Sequence, residues 1–503
     1  MNWIRDRWFA LACAALGLSR LFHLSPHMDA YYGHRQCDTA FYAWDFYRNG
    51  IDFLRPAVCW LGGHKTLILE FPLHEALTAL LYHAFGFSHI WARLVTLSFY
   101  ALGAVYLYRL LRELGDQATA RLATVVYLAL PLGLVFSRAI HVDFVAIGLA
   151  HMAVYHGLVA YRRGRLVDLV LFALAATLSA LVKIPYLFYF ALPLGLYVLG
   201  TWRTDRALRL VLAGMLPALG FLAWRNHVFT VNAMAPDWGF IPGYYKFTHM
   251  ASWYFGALDM RFDPVNWLVL LKRLVLDIAT PLGALFLLAG FAGDLRERKK
   301  PWFFLAWMLG TFLYVLIFFR LNVIHHYYQT PLLAISAIYI ARGITRSAAW
   351  LARRMNRPIA IFQVLGTLAV IIPAFAWAEN RWTDRIPKSG YYLQNSYAEV
   401  IGEHIQKHAA EDELVVAAFT STEWCDPRIL YSARRFGWAL RPEKLGGEAL
   451  SGYMQNGADW LAVFGTQDLT PAVERILENR PVWTYSVGWD EDALKIYHLS
   501  GPH

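Results

Sequence analysis

The sequence predicts a polytopic α-helical membrane protein with a small external α/β domain at its C-terminal end. Of its 503 residues, 58% are hydrophobic and only 16% are charged, and the mean hydropathy is +0.37. Apolar stretches near the ~20 residues that cross a bilayer recur from Leu11 through Ala376. From Asn380 onward the composition becomes that of a soluble domain. We therefore expect a transmembrane module over residues 1–379 and an external domain over residues 380–503.

Clusters of basic residues in short loops predict the topology, because cytoplasmic loops carry an excess of Lys and Arg. Four such clusters separate apolar runs, and they lie within residues 162–165, 203–209, 296–300 and 342–357. The chain must cross the membrane twice between successive clusters. This gives about eleven crossings, a cytoplasmic N-terminus and an external C-terminus. The net charge of +10 is assigned to these loops, so no nucleic-acid partner is expected.

The segment of residues 71–87 does not fit as a crossing, since it would place the first long loop and Asp143 on opposite sides. Its polar residues share one helical face opposite the leucines; they are His74, Glu75, Thr78 and Tyr82. This pattern predicts a juxtamembrane helix that lies along the external surface. A short spanning helix is the alternative, and it would invert every later basic loop.

Two of the predicted crossings, residues 169–181 and 186–199, meet at the sequence "LVKIPYLF". Lys183 lies just before Pro185, which restarts the chain as a new helix. Its ammonium is thus expected at the external interface, where it could meet a phosphate. The alternative is a lysine that merely extends its charge to the interface. The eighth crossing, residues 267–291, is overlong and carries Lys272 and Arg273, so its first turns are expected at the interface.

The C-terminal segment predicts strands at "ELVVAAF" and "DWLAVFG", and a closing hairpin from "VWTYSVG" and "ALKIYHL". It contains no catalytic motif. The four cysteines form no CxxC or His/Cys metal pattern. Cys37 and Cys59 allow either a disulfide in an oxidising compartment or two unpaired buried thiols.

Charged and polar residues gather at the predicted external helix ends, where Lys and Arg should be scarce. The set is Asp38, Glu70, Arg93, Arg138, Asp143, Lys183, His249, Arg320, His325 and His326. Any one of them is explained by an interfacial helix end. Together they indicate a pocket for an amphiphile with a phosphate head group, such as a polyprenyl phosphate that carries a sugar.

Asp38 opens the aromatic helix pattern that runs from Thr39 to Asn49. As the N-cap of that helix, its carboxylate would be held near the head-group plane. There it could accept a proton from an attacking hydroxyl. The alternative role is capping alone.

The order of several motifs resembles bacterial members of the dolichyl-phosphate-mannose protein mannosyltransferase family, within the GT-C glycosyltransferases. The lipid A aminoarabinose transferases belong to the same group. The motifs are "HRQCDTA…RNG", "EFPLHEALTALLYHAFG", "ARLVTLS", "FSRAIHVDFVA", "LVKIP" and "HHYYQTPLLAI". They cover about the first 345 residues. The resemblance implies a catalytic carboxylate in the first external loop, followed by two juxtamembrane helices.

Carried over motif by motif, the resemblance implies that Asp38 is the loop carboxylate and Asp143 the acidic residue after the third crossing. Lys183 looks like the phosphate-facing lysine. The cavity would be bordered by His34, Arg35, Glu70, His325, His326, Tyr327 and Tyr328. The paired Asp-Glu motif of the family is replaced by "HRQCD", so His34 or Arg35 could occupy the position of the carboxylate. Asp143 would then be the next candidate for the base.

The resemblance also implies a function: transfer of a sugar from a polyprenyl-phosphate donor to an acceptor at the external face of the bacterial inner membrane. Arg93 or Arg138 would join Lys183 at the donor phosphate. No cofactor is required, although Glu70 and His249 resemble a pair that can accompany a divalent metal. The acceptor (a glycolipid, a polysaccharide or a protein) and the sugar stay open. The alternatives are a transporter or flippase of a lipid-linked sugar, and an inactive lipid sensor.

Overall fold

The computed structural model describes residues 2–22, 24–25, 27–28, 32–238, 250–298, 301–382, 396–419, 425–464, 469–487 and 490–500. The chain forms two compact units. The first, here called the helical unit, comprises Met1–Ser25, Arg93–Arg225 and His249–Tyr392. The second, here called the α/β unit, comprises Pro26–Ala92, Asn226–Thr248 and Leu393–His503.

Twenty α-helices are present in the described part of the chain. In chain order they are α1 Asn2–Leu18, α2 Gly33–Asn49, α3 Leu73–Phe85, α4 His89–Glu113, α5 Gln117–Ala129, α6 Pro131–Phe136, α7 Asp143–Arg163, α8 Leu166–Gly200, α9 Thr204–Asn232, α10 Met250–Tyr254, α11 Pro264–Arg273, α12 Pro281–Arg296, α13 Trp302–Ile317, α14 Phe319–Ile324, α15 Leu332–Met355, α16 Ile359–Trp382, α17 Ser396–His408, α18 Arg428–Ala433, α19 Gly447–Gln455 and α20 Pro471–Leu477. The predicted fold class, a polytopic helical protein with a small α/β domain, is confirmed.

Six helices are long and apolar enough to span a membrane, judged over the described residues. A seventh span is obtained if Pro264–Ala279 and Pro281–Arg296 form one, although they are bent by 98° at Thr280. The overlong eighth crossing of the prediction is therefore broken, and Lys272 and Arg273 belong to the segment before the bend. The number of eleven crossings stays a prediction.

Helix α8 is a helical hairpin, although its backbone is helical over 35 residues apart from a break at Lys183. Its first residue, Leu166, lies close to the end of α7 at Arg163. Near the other end of α8, Tyr161 of α7 donates a hydrogen bond to the Thr201 carbonyl at 2.7 Å. Its middle residue, Lys183, binds Asp143 at the opposite end of α7. The chain therefore reverses at Lys183, where Pro185 disfavours helical continuation. This agrees with two predicted crossings in this segment.

Helix α3 corresponds to the predicted juxtamembrane helix, and it is not among the possible spans. The four polar residues of its predicted polar face are each at most 2% exposed: His74, Glu75, Thr78 and Tyr82. On the apolar face Leu80 is 54% exposed. The polar face thus packs against the protein, and the apolar face is presented outward, as on an interfacial helix.

A five-stranded sheet forms the C-terminal part of the α/β unit. Its strands are β1 Leu414–Phe419, β2 Gly437–Leu440, β3 Ala458–Phe464, β4 Val482–Val487 and β5 Asp490–His498, in the order β2-β1-β3-β5-β4. Strands β2, β1 and β3 are parallel, and β5 runs antiparallel to both of its neighbours. Both predicted buried strands and the predicted closing hairpin are present. The edge strand β2, which is only four residues long, was not predicted.

Candidate functional site

Helix α2 begins at Gly33, so Asp38 is not its N-cap and the capping prediction is wrong. The amides of Arg35 and Gln36 both donate to the Tyr32 carbonyl at 3.0 Å. These bonds start the helix at Gly33, six residues before the Thr39 that the aromatic pattern indicates. Asp38 therefore lies inside the helix, and it is 7% exposed.

The carboxylate of Asp38 accepts hydrogen bonds from two side chains of the α/β unit. Trp60 donates its indole Nε1–H to Oδ1 at 2.9 Å, and Arg35 donates from Nη1 to Oδ2 at 3.4 Å. Arg35 lies one helical turn before Asp38, which places the two on one face. The same guanidinium forms an ion pair with Glu70. Arg35 thus links the two carboxylates that the sequence singled out.

Burial raises the pKa of Asp38 to about 6, even though Arg35 and Trp60 both favour its ionised form. The carboxylate is consequently more basic than an exposed aspartate and is still largely ionised at pH 7. A group with these properties suits general-base catalysis near neutral pH. His34, four residues before Asp38, is half-buried and packs edge-on to Tyr32 at 6.2 Å between ring centroids.

A second polar cluster lies in the helical unit, at the reversal of α8. Asp143 is the first residue of α7 and is 1% exposed. Lys183 donates to its Oδ1 and Oδ2 at 3.0 and 3.2 Å. The hydroxyl of Tyr186 also donates to Asp143, and the His141 ring pairs with it. The Asp143 carboxylate therefore contacts three side chains: Lys183 and Tyr186 at the reversal of α8, and His141 just before α7.

Aromatic rings surround the ammonium of Lys183. It lies 4.3 Å from the ring centroid of Tyr328, 5.0 Å from that of Tyr327 and 5.4 Å from that of Tyr186. The His325 ring stacks on Tyr327 at 4.9 Å. The predicted cavity residues after α14 are thus next to the predicted phosphate-facing lysine. Such rings stabilise a cation that is removed from water.

The two other predicted phosphate ligands, Arg93 and Arg138, are also buried in the helical unit. Arg93 donates to the carbonyl of Ser25 at 3.1 Å and to that of Arg138 at 3.0 Å. These bonds hold three chain segments together. A role for either guanidinium at a phosphate stays a prediction. His326 lies 3.8 Å from the carboxylate of Asp277.

The predicted metal pair consists of Glu70 and His249. His249 lies outside the described residues. The Glu70 carboxylate is paired with Arg35, a cation that a metal would have to displace. Over the described ranges, no group of three His, Cys, Asp or Glu side chains could hold a metal ion. The predicted metal site therefore stays a prediction. No disulfide joins the four cysteines, all of which lie in the described ranges, and Cys37 and Cys59 are buried.

Three residues of these clusters were missed at the sequence level as site residues: Trp60, His141 and Tyr186. His141 and Tyr186 lie two and three residues from Asp143 and Lys183, so the motifs "HVD" and "KIPY" contained a usable signal. Trp60 lies 22 residues from Asp38 in a loop, and no local pattern connects the two.

The chain is similar to known membrane proteins in sequence and in structure. The family model of dolichyl-phosphate-mannose-protein mannosyltransferase matches residues 70–224. The crystal structure of ArnT from Cupriavidus metallidurans bound to undecaprenyl phosphate superposes with a TM-score of 0.64, at 14% identity, over 99% of both chains. The chain has the GT-C glycosyltransferase fold. The resemblance to mannosyltransferases and aminoarabinose transferases is thereby confirmed.

Further GT-C structures agree with this assignment. ArnT from the same organism in the apo state gives a TM-score of 0.61 at 16% identity, over 99% of this chain and 100% of that one. The oligosaccharyltransferase AglB from Archaeoglobus fulgidus, in complex with an inhibitory peptide and a dolichol-phosphate, gives 0.57 at 14% identity. That match covers 92% of this chain and 70% of AglB. No curated protein sequence matches the chain. The GT-C fold and the apolar helices make this a multi-pass membrane protein.

Proposed function

We propose that this GT-C protein transfers a sugar from a polyprenyl-phosphate donor to an acceptor at the membrane surface. The observation that carries the proposal is the buried carboxylate of Asp38, with Trp60 and Arg35 as hydrogen-bond donors. Its raised pKa suits a general base. Two similar structures hold compatible ligands, undecaprenyl phosphate in ArnT and dolichol-phosphate in AglB. Hence a lipid-linked donor is the substrate class that we infer here.

The proposed reaction is a direct displacement at the anomeric carbon of the donor. An acceptor hydroxyl attacks that carbon while its proton passes to the Asp38 carboxylate. The bond between the carbon and the phosphate oxygen breaks, and its electron pair leaves with the polyprenyl phosphate. The product is inverted at the anomeric carbon. Asp143 is the next candidate for the base, and no step requires a cofactor.

The departing phosphate gains negative charge, so a nearby cation would stabilise the transition state. We propose Lys183 for this role. Asp143 fixes its ammonium from one side, and the rings of Tyr327 and Tyr328 limit its access to water. A charge held in place and shielded from water acts more strongly than one in bulk solvent. Arg93 and Arg138 are further proposed ligands of the same phosphate.

We further propose that the protein resides in the bacterial inner membrane, with its N-terminus in the cytoplasm and its C-terminal α/β domain, residues 380–503, outside. The basic clusters between the apolar helices support this orientation. A lipid-linked sugar donor and a cell-envelope acceptor would both be accessible there.

The test incubates the purified protein with a panel of polyprenyl-phosphate sugars and a cell-envelope acceptor extract, and follows free polyprenyl phosphate by mass spectrometry. Asp38→Asn should release it about 10²–10⁴-fold more slowly than the wild type, with donor binding retained. Asp45→Asn is the matched control, since Asp45 lies in the same helix and its carboxylate accepts a hydrogen bond from Asn49 at 2.7 Å.

The outcomes separate the alternatives. Equal rates for the wild type and Asp38→Asn would assign the base elsewhere, and Asp143→Asn is then the next variant. If the wild type turns over no donor, the transferase proposal is wrong. A flippase would then be detected by movement of the intact donor across vesicles, and a sensor by binding alone.

A further inference from the structure

The indole that binds Asp38 is carried by a short hairpin-like loop of residues 56–67. Ala57 and Thr66 form an antiparallel bridge across this loop. Trp60, near its tip, is 1% exposed, and its Nε1–H donates to Asp38 at 2.9 Å. The position of the hydrogen-bond donor therefore depends on the position of the loop.

The edge strand β2 holds this loop on both sides of Trp60. The amide of Gly437 donates to the Cys59 carbonyl at 2.8 Å, and the amide of Gly62 donates to the Gly437 carbonyl at 2.6 Å. Both bonds use backbone atoms, so they fix the register between loop and strand. They also occupy an edge of β2 that would otherwise be open.

At two of the glycines of this junction, a larger residue would displace the atoms that surround it. Gly62 has a φ of +64°, and an added Cβ would lie 2.4 Å from the Trp438 ring. A Cβ at Gly437 would lie 1.8 Å from the Val415 carbonyl oxygen of β1. By contrast, a Cβ at the neighbouring Gly63 would meet no atom closer than 3.9 Å. The close approach of the loop to the sheet thus requires glycine at positions 62 and 437, but not at position 63.

The same part of the sheet contacts the helix that carries Asp38. Phe436, just before β2, packs edge-on to Phe41 of α2 at 5.2 Å between ring centroids. The Lys65 ammonium of the loop lies 4.2 Å from the centroid of the Phe436 ring. The start of β2 is thus in contact with both elements that define the hydrogen bond to Asp38.

We propose that β2 of the C-terminal sheet is a positioning element of the active site, and that it acts by holding Trp60 against the Asp38 carboxylate. Trp60 is accordingly a positioning residue, which orients the base and stabilises its ionised form. The inference rests on the proposed function, in which Asp38 accepts the proton. It gives the C-terminal domain a part in catalysis that does not require it to contact the donor or the acceptor.

The first experiment measures the protonation of Asp38 without any substrate. The carboxyl stretch of Asp38 is obtained as the infrared difference between the full-length protein and its Asp38→Asn variant across a pH series. Trp60→Phe keeps an aromatic ring but removes the donor, so the titration midpoint of Asp38 should rise by about one pH unit. The acidic limb of the rate profile for release of free polyprenyl phosphate should move by the same amount.

A second pair of variants tests the link from β2. Gly62→Ala should shift the Asp38 midpoint in the same direction as Trp60→Phe, whereas Gly63→Ala should leave it unchanged. A midpoint that does not move in Trp60→Phe would overturn the positioning role. A midpoint that moves in Trp60→Phe but not in folded Gly62→Ala would overturn the role of β2. The infrared titration needs no donor, so it tests the effect of Trp60 and β2 on Asp38 separately from turnover. A wild type without turnover would reject the transferase proposal, and the titration would still show whether β2 positions Trp60 against Asp38.

Discussion

The ammonium of Lys183 lies 3.0 Å from the carboxylate of Asp143, although 40 residues separate them in sequence. Asp143 begins α7, and Lys183 is the point where the long helix α8 reverses. The pair therefore joins the acidic residue after the third predicted crossing to the lysine that the motifs indicate as phosphate-facing. Both groups are almost fully buried, so the charge of each is compensated by the other, with the His141 ring as a further partner of Asp143.

Breaking this pair should be costly, and removing both charges should be less so. Lys183→Met removes the ammonium from a buried carboxylate that keeps its contacts with Tyr186 and His141, and it should lower the free energy of unfolding by about 3–5 kcal/mol. The double variant Lys183→Met/Asp143→Asn should lose less than the sum of the single variants. Thermal denaturation in detergent measures all three. As a control, Arg48→Met removes an exposed pair with Glu411 and should cost at most about 1 kcal/mol. If the double variant loses as much stability as the sum of the two single variants, the two residues are not directly coupled.

The reversal of α8 makes a prediction about topology. Cysteines introduced at Arg165 and Thr201, at the two ends of the hairpin, should be labelled from the same side of the membrane. An impermeant maleimide should reach both in inverted vesicles and neither in intact cells, whereas a permeant reagent labels both in either preparation. The parent protein gives the background from its native cysteines. Labelling of the two positions from opposite sides would mean that α8 crosses the membrane once.

The activity should fall in acid because Asp38 must be ionised to accept a proton. With the pKa of Asp38 raised to about 6 by burial, kcat/KM should decrease about tenfold for each pH unit below that value. The measurement is the initial rate of polyprenyl phosphate release between pH 4.5 and 8. An acidic limb near pH 4, the usual range of an exposed aspartate, would argue against Asp38 as the base.

Glu75 should make the protein less stable as the pH rises. It is 2% exposed, its Oε2 has no hydrogen-bond partner among the described residues, and burial raises its pKa to about 8. The folded state therefore keeps a proton that the unfolded state releases near pH 4.5, so stability declines from there up to about pH 8. Glu75→Gln should match the wild type at pH 4 and melt several degrees higher at pH 8 or above.

The control for this prediction is Glu478→Gln, which changes an exposed glutamate of the same unit. It should leave the melting temperature unchanged at either pH. A Glu75→Gln variant that melts lower than the wild type at pH 8 would show that the ionised carboxylate is stabilised in the folded state.

The sequence by itself determined the membrane class of the protein, the interfacial helix α3 and four strands of the sheet. Each is set by a local periodicity: a long apolar run, a helical face of polar residues, or a short apolar strand. The ordered motifs also selected Asp38, Glu70, Asp143 and Lys183. Local patterns were insufficient for the start of α2, because its first turn is polar and gives no apolar period, and for β2, which has only four residues.

Only the tertiary structure decided which side chains meet. Trp60 reaches Asp38 because β2 holds its loop, and both Lys183 and Tyr186 reach Asp143 because α8 reverses beside α7. The physical reason is that these contacts join residues 22 to 43 positions apart, beyond the few residues over which helix or strand periodicity acts. Backbone pairing at the edge of the sheet has no signal in local composition. The "LVKIP" motif predicts the reversal of α8, but it does not show which carboxylate Lys183 contacts.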